Sequence, residues 1–285
     1  MMSSCWQVTF RPAAPDNETL ENFLEQYFEV TACNYDDDGN DEYVGYQSGT
    51  FDEKAMVEAA HAAAINLPPY EVTFLESSNW LKDYVIKFAP FETEDFMFYG
   101  IHETSCPQTS LIPVQIYAAT AFGSDHQTTR SCIKALSRLY HQGFSADNIL
   151  DVGTGSGILA IAALKLGAAE AEGVDIDPMC VRTAGENAER NGVAEHFTVL
   201  VGDLSDKASG KYNIITANIV AAAILSLAPH VPVLMAPGAR FIASGIIDTR
   251  KDEVLAGLRA AGLEPVEIKE KRGWVCVICK NAAEV

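Results

Sequence analysis

The segment 148–177 constrains the fold of this chain more than any other part of the sequence. It begins with a short apolar run suited to one buried strand and continues with glycines at alternate positions, Gly153, Gly155 and Gly157. A helical pattern then stops near Gly167, and a second apolar run ends at Asp175. The order strand, glycine turn, helix, strand predicts a parallel βαβ unit. Such a unit exposes bare backbone and a helix N-terminus at the carboxyl edge of a sheet, so we expect a ligand there.

The same alternation continues through residues 119–285 and ends in a hairpin over 263–280. It predicts an α/β fold with a seven-stranded, doubly wound, mostly parallel sheet (Rossmann-like), covered by helices on both faces. Residues 1–78 follow the order βαββαβ, which predicts a smaller ferredoxin-like α/β domain. Prolines interrupt the segment 79–118, which we interpret as a linker.

Composition narrows the class of protein. The formal net charge is −19, which argues against broad binding of nucleic acid and is compatible with a basic protein partner. No apolar run approaches the roughly 20 residues of a membrane span, and the N-terminus lacks the pattern of a secretory signal. The seven cysteines are odd in number and scattered, so we expect a cytoplasmic protein. Cys276 and Cys279 are three apart in a predicted strand, which puts the thiols on opposite faces and favours buried thiols over zinc.

Three classes of ligand compete for the glycine turn. A phosphate-binding P-loop needs a lysine after the glycines, and none is present. A dinucleotide site needs a third glycine where this chain has Ile158. The remaining pattern, G-x-G-x-G preceded by Asp151, suits S-adenosylmethionine. The backbone of residues 153–157 is then predicted to bind the carboxylate of the cofactor, with Asp151 near its ammonium group.

Other residues at the carboxyl ends of the strands are candidates for the same site. Asp175 suits the two ribose hydroxyls, in a nicotinamide or an adenosylmethionine protein alike. Asp203 is predicted to receive the adenine amine; the alternative is a turn or N-cap aspartate. Asn218 is predicted to be the catalytic residue, which accepts hydrogen bonds from an amine and aims its lone pair at the methyl group; the alternative is a helix cap.

The loop 122–129 precedes the first helix of the second half. Thr129 is predicted to hydrogen-bond the amino acid end of the cofactor. Phe122 and His126 are predicted to form a wall of the site. We predict no metal site.

Together these motifs resemble the PrmA family, methyltransferases that act on the eleventh protein of the large ribosomal subunit. The resemblance is carried by DVGTGSGILAIAALKLGA, GVDIDPMCVRTAGENAERNGV, ANIVA and GARFIASGI, and it covers about 120–285 closely. It implies S-adenosylmethionine as cofactor, transfer to lysine side chains and an α-amino group, and substrate recognition by the N-terminal domain with a linker that lets it reorient. It also implies cofactor contacts at Thr129, Gly153, Asp175 and Asn218. The loop 122–129 departs from the family pattern, because it is one residue shorter and lacks the second glycine.

The leading hypothesis is therefore a protein N-methyltransferase acting on a basic ribosomal protein. The alternatives are an N-methyltransferase for another protein or a small-molecule amine, and a non-catalytic module that binds S-adenosylmethionine. A nicotinamide oxidoreductase is disfavoured by Ile158.

Overall fold

The computed structural model describes residues 5–12, 18–28, 30–35, 41–75, 90–101, 109–118, 124, 126–144, 146–202 and 210–283. The chain divides into two compact units, 1–84 and 85–285. Among the described residues, no helix is both long and apolar enough to cross a membrane.

The first unit is a four-stranded antiparallel sheet with two helices. Its elements are β1 (Cys5–Phe10), α1 (Glu18–Tyr27), β2 (Val30–Tyr35), β3 (Asp41–Ser48), α2 (Glu53–Ala62) and β4 (Tyr70–Leu75). The strand order is β2-β3-β1-β4, with every neighbouring pair antiparallel. This is the ferredoxin-like arrangement predicted from the order of elements. Phe10, Leu20 and Met56 are buried in one apolar core between sheet and helices, which gives the unit a core of its own.

The second unit contains the predicted seven-stranded sheet. Its strands are β8 (Asn148–Val152), β9 (Glu170–Asp175), β10 (Phe197–Val201), β11 (Tyr212–Asn218), β12 (Met235–Ile247), β13 (Leu263–Lys271) and β14 (Trp274–Asn281). The order across the sheet is β10-β9-β8-β11-β12-β14-β13. Within the described sheet, only β14 runs against its neighbours, β12 and β13. The strand order changes direction at β8. The chain continues from β8 to β9 and β10 on one side and then to β11 and β12 on the other, so a crevice opens at the carboxyl end of β8.

Helices cover both faces of this sheet, as predicted. They are α3 (Gln127–His141), α4 (Ile158–Leu166), α5 (Pro178–Arg190), α6 (Ala221–Leu227), α7 (Val231–Leu234) and α8 (Lys251–Ala260). The first seven side chains of α4 are all buried, because this helix lies in the core rather than on the surface. Cys276 belongs to the core on one face and Cys279 to the core on the other. The prediction of two thiols on opposite faces is confirmed.

The segment 79–118, which was predicted to be a linker, contains β-strands. A three-stranded sheet is formed by β5 (Phe91–Glu92), β6 (Phe96–Gly100) and β7 (Ile112–Ile116). Phe91, Phe96 and Phe98 lie in the same apolar core as α3 and α4. From residue 91 to 116 the described chain is thus an integral part of the second unit. These aromatic side chains are core residues of one unit. Residues 79–89 and 102–108 of the predicted linker lie outside the described residues.

Candidate active site

The glycine turn lies between β8 and α4 at the carboxyl edge of the sheet. Gly153, Gly155 and Gly157 have φ of 68°, 55° and 79°, a left-handed conformation that residues with a side chain rarely adopt. A Cβ atom on Gly153 would lie 2.5 Å from the Cγ2 of Ile219. A Cβ atom on Gly157 would lie 3.0 Å from the Cε1 of Phe197. Without side chains at these positions, a ligand can approach the turn and the N-terminus of α4. The N–H groups of the three glycines themselves donate within the protein, to the carbonyls of Val174 and Thr154 and to the carboxylate of Asp175.

Asp151, in β8, holds the turn in place through hydrogen bonds. Its carboxylate accepts hydrogen bonds from the hydroxyl groups of Thr154 (2.8 Å) and Thr216 (2.6 Å), and the residue is 1% exposed. Burial raises the pKa of Asp151 to about 6, although the two hydroxyl groups act in the opposite direction. The sequence predicted a contact with the ammonium of the ligand. In the structure both carboxylate oxygens fasten the turn to β11, and the contact with the ammonium group stays a prediction.

Asp175 connects the end of β9 to the same turn. Its Oδ2 accepts a hydrogen bond from the backbone N–H of Gly155 at 2.9 Å, and its Oδ1 accepts one from the N–H of Asp177 at 3.0 Å. A carboxylate has about four acceptor positions, so these two bonds leave room for two hydroxyl donors. The position and the spare capacity fit the predicted ribose contact.

Apolar side chains are exposed beside Asp175 and at two neighbouring strand ends. Ile176 is 78% exposed, Met179 48%, Val201 44% and Val220 68%. The first two follow β9, and the others stand at or just beyond the carboxyl ends of β10 and β11. Sequence reasoning missed them. Only Ile176 carries a clear signal in the sequence, as an apolar residue directly after the aspartate that ends a parallel strand.

Asn218 ends β11, the strand that pairs with β8 on the side away from β9. Its side-chain Nδ2 donates a hydrogen bond to the hydroxyl of Thr129 at 2.8 Å. Its Oδ1 is buried and has no hydrogen-bond partner among the described residues. The alternative of a helix cap is excluded, because α6 starts after Val220 and no side chain caps it. A buried acceptor without a partner costs about 1–3 kcal/mol, which a ligand donor would offset.

The end of β11 is held in place by the next strand. The backbone N–H of Ile219 donates to the carbonyl of Ser244 at 3.1 Å. Gly245 has φ of 84°, and a Cβ atom there would lie 2.4 Å from the carbonyl oxygen of Ile219. A residue larger than glycine at position 245 would displace the backbone of Ile219. The GARFIASGI segment therefore helps to position Asn218, because its Gly245 packs against the next residue.

The loop before α3 is fixed at two described positions. The hydroxyl of Ser124 donates to the hydroxyl of Ser156 in the glycine turn at 2.9 Å. His126 caps α3, since its Nδ1 accepts from the backbone N–H of Thr128 at 3.2 Å, and its ring meets Trp274 edge-on at 4.9 Å between centroids. Burial, with a smaller effect of Arg130, lowers the pKa of His126 to about 4. His126 is therefore neutral at physiological pH. Phe122 lies outside the described residues, as does Asp203.

Two asparagines at the end of α5, which sequence reasoning also missed, connect this helix to the segment around β7, and Asn187 also contacts the turn. The Nδ2 of Asn187 donates to the carbonyls of Tyr117 and Ser156, both at 2.8 Å. Asn191, one helical turn later, exchanges hydrogen bonds with the backbone of Gln115 at 3.0 and 2.7 Å. Their signal in the sequence is a pair of asparagines four residues apart in a helix, where asparagine is a poor helix former.

The chain resembles known proteins over most of its length. A sequence profile described as "Ribosomal protein L11 methyltransferase (PrmA)" matches residues 12–282. A ribosomal protein L11 methyltransferase of Symbiobacterium thermophilum is 39% identical over 212 residues, which cover 74% of this chain and 68% of that protein. A protein of the same name from Desulforamulus reducens is 36% identical over 215 residues, covering 75% and 69%. The crystal structure of the ribosomal protein L11 methylase of Lactobacillus delbrueckii subsp. bulgaricus superposes with a TM-score of 0.63 at 26% identity, covering 68% of this chain and 99% of that one.

Proposed function

We propose, because the chain belongs to the family of ribosomal protein L11 methyltransferases (PrmA), that it transfers methyl groups from S-adenosylmethionine to amines of ribosomal protein L11. The family and the doubly wound fold expected from the sequence are confirmed, and so are the enzyme class and the cofactor. The amines in this proposal are lysine side chains, an α-amino group, or both. We place the reaction in the cytoplasm, where ribosomal proteins are made.

The residues at the carboxyl edge of the sheet fit the cofactor. The glycine turn brings backbone without side chains, and with it the N-terminus of α4, to the position proposed for its carboxylate, and Asp175 has acceptor positions for its ribose. Exposed Ile176 and Met179 offer apolar contact beside that carboxylate. When bound, S-adenosylmethionine supplies an electrophilic methyl group on a sulfonium.

The observation that carries the proposal is the buried Oδ1 of Asn218, which has no hydrogen-bond partner in the part of the chain that the structure describes. This oxygen accepts an N–H of the substrate amine, which turns the nitrogen lone pair away from Asn218 and toward the reacting carbon. Thr129 fixes the orientation of the amide through its 2.8 Å hydrogen bond. Asn218 does not titrate, so the amine must reach the site as the neutral base. The contribution of the protein is thus orientation and exclusion of water.

Asn218→Ala tests this role. We expect methyl transfer to purified L11, followed with a labelled methyl donor, to fall by about a hundredfold or more, because the amine loses its orienting contact. The affinity for S-adenosylhomocysteine, measured by calorimetry, should change much less. Asn281→Ala, the same change at the far end of β14, is the matched control and should keep full activity.

Three results would count against the proposal. Full activity of Asn218→Ala would remove the role of the amide. A wild-type protein that binds S-adenosylhomocysteine but methylates no ribosomal protein would favour another amine substrate. If it then methylates none of a panel of proteins and small amines, the non-catalytic module is the better description.

In this proposal a domain of about residues 1–78 recognises the substrate protein. This domain is joined to the methyltransferase domain. Phe74 is 47% exposed, with its ring 4.9 Å from that of Trp6, and Val57 is 43% exposed. An open cleft of about 760 Å³ nearby is lined by Asp52 and Glu53 among others. Aromatic rings beside carboxylates suit lysine and arginine side chains of a basic protein.

A further inference from the structure

A basic cavity lies between α3 and β13, outside the candidate active site. Its volume is about 190 Å³, and its lining includes Lys134 and Arg138 of α3 together with Lys269 and Lys271 of β13. Gln127 and Ser131 add polar groups to the same wall. The concentration of cations is unexpected in a chain with a net charge of −19.

The cations of the cavity are only partly neutralised. Glu267 forms ion pairs with Arg138 at 2.8 Å and with Lys269 at 3.6 Å, so one carboxylate serves two cations. Glu270, which also lines the cavity, pairs with Lys251 at 2.9 Å. These contacts leave an excess of positive charge around the remaining lysines.

Lys134 and Lys271 form no ion pair within the described part of the chain. The repulsion from Lys134, together with burial and the charges of Arg272 and Arg130, lowers the pKa of Lys271. Positive charges held close to Lys271, with no acid paired to it among the described residues, are unfavourable by themselves, and a bound anion reduces their repulsion.

We propose that this cavity is a binding site for a compact phosphate-bearing anion. The ammonium groups of Lys134 and Lys271, with the polar neighbours Gln127 and Ser131, offer donors to the acceptor oxygens of one phosphate, while Arg138 and Lys269 share Glu267. The volume suits one phosphate group with a small attached group and is too small for a strand of nucleic acid. The strongly negative charge of the whole protein also repels a long polyanion, whereas a single phosphate is affected far less. The proposal does not depend on the methyltransferase function.

The test uses the full-length protein and inorganic phosphate or pyrophosphate as the probe, at low salt, with calorimetry. We expect saturable binding of both probes. The double variant Lys134→Gln and Lys271→Gln should lose roughly tenfold or more in affinity, because each lysine makes a charge-assisted contact. Lys165→Gln on α4 is the matched control, and its affinity should equal that of the wild type. Both substituted lysines are on the surface, and circular dichroism verifies that the double variant is folded.

A second measurement does not depend on a variant. The pKa of Lys271, followed by NMR of its side chain, should rise when phosphate is added, since an anion favours the charged ammonium. The proposal is overturned if neither probe binds, or if the double variant binds as well as the wild type. It is also overturned if the pKa of Lys271 is unchanged at saturation, or if a single-stranded RNA oligomer binds while phosphate and pyrophosphate do not.

Discussion

Replacing Asp151 by asparagine should stabilise the protein above pH 6. The pKa of this buried carboxyl is raised from 3.8 to about 6. Between these two pH values the folded protein holds a proton that the unfolded chain has released. The free energy of unfolding therefore falls as the pH rises through this window and stays low above it. One pH unit is worth about 1.4 kcal/mol, so the ionised carboxylate costs roughly 3 kcal/mol at pH 8.

Asparagine has nearly the same shape and carries no charge, so it resembles the protonated acid. Its amide has both donors and acceptors for Thr154 and Thr216, whose hydroxyl groups serve in either role. We expect Asp151→Asn to raise the free energy of unfolding by up to about 3 kcal/mol at pH 8 and to leave it nearly unchanged at pH 4.

The assay is hydrogen exchange of peptides from β8 and β11 in increasing urea, at several pH values between 4 and 8. This method reports the opening of the second unit without interference from the first. Asp147→Asn, at the exposed residue just before β8, is the control and should change stability by no more than about 0.5 kcal/mol. If Asp151→Asn is less stable than the wild type at pH 8, or keeps the same dependence on pH, the argument from burial is wrong.

Three further predictions concern the site and the first unit. Gly157→Ala should weaken binding of S-adenosylhomocysteine in calorimetry, because its φ of 79° strains a residue with a Cβ by about 1–2 kcal/mol; Gly185→Ala, in open space on α5, should leave affinity intact, and equal affinities of the two variants would contradict the prediction. Phe74→Ser should raise the KM for the ribosomal protein with kcat nearly unchanged, and a change confined to kcat would remove the recognition role. His126→Asn should leave the dependence of the methylation rate on pH unchanged between pH 6 and 9, because the pKa of His126 is about 4; loss of an inflection in that range would show that this histidine titrates during catalysis.

The sequence identified the features that depend on local chemistry. Glycines at alternate positions after a strand predicted the turn, and all three adopt the left-handed conformation that only glycine takes easily. The order of elements predicted the ferredoxin-like sheet, and strand periodicity predicted that Cys276 and Cys279 face opposite cores. In each case the information lies within a few residues or in the order of elements.

Features that depend on distant partners were missed or misassigned. The hydrogen bond that Thr216 donates to Asp151 was missed, because the two residues are 65 positions apart and nothing near Asp151 in the sequence indicates it. Asn187 and Asn191 lie in the last turn and at the cap of an amphipathic helix, and their role follows from the backbone at and just after β7, 70 or more residues earlier. The strands β5 to β7 were assigned to a linker because prolines and acidic residues hide their alternation; burial of Phe96 and Phe98 appears only when α3 packs on them.

The hydrogen bond from Gly155 to Asp175 has a consequence for how fragments of the cofactor bind. The carboxylate of Asp175, which fits the ribose of the cofactor, also accepts the N–H of Gly155. Gly155 belongs to the turn that fits the amino acid portion of the cofactor. A nucleoside that orders Asp175 therefore orders the turn in advance, so the second fragment loses less conformational entropy on binding. Adenosine and methionine, added as separate molecules, should accordingly bind with positive cooperativity, each tightening the other by the same factor. In this respect the two halves of the ligand site form one thermodynamic unit even when no covalent bond joins their occupants.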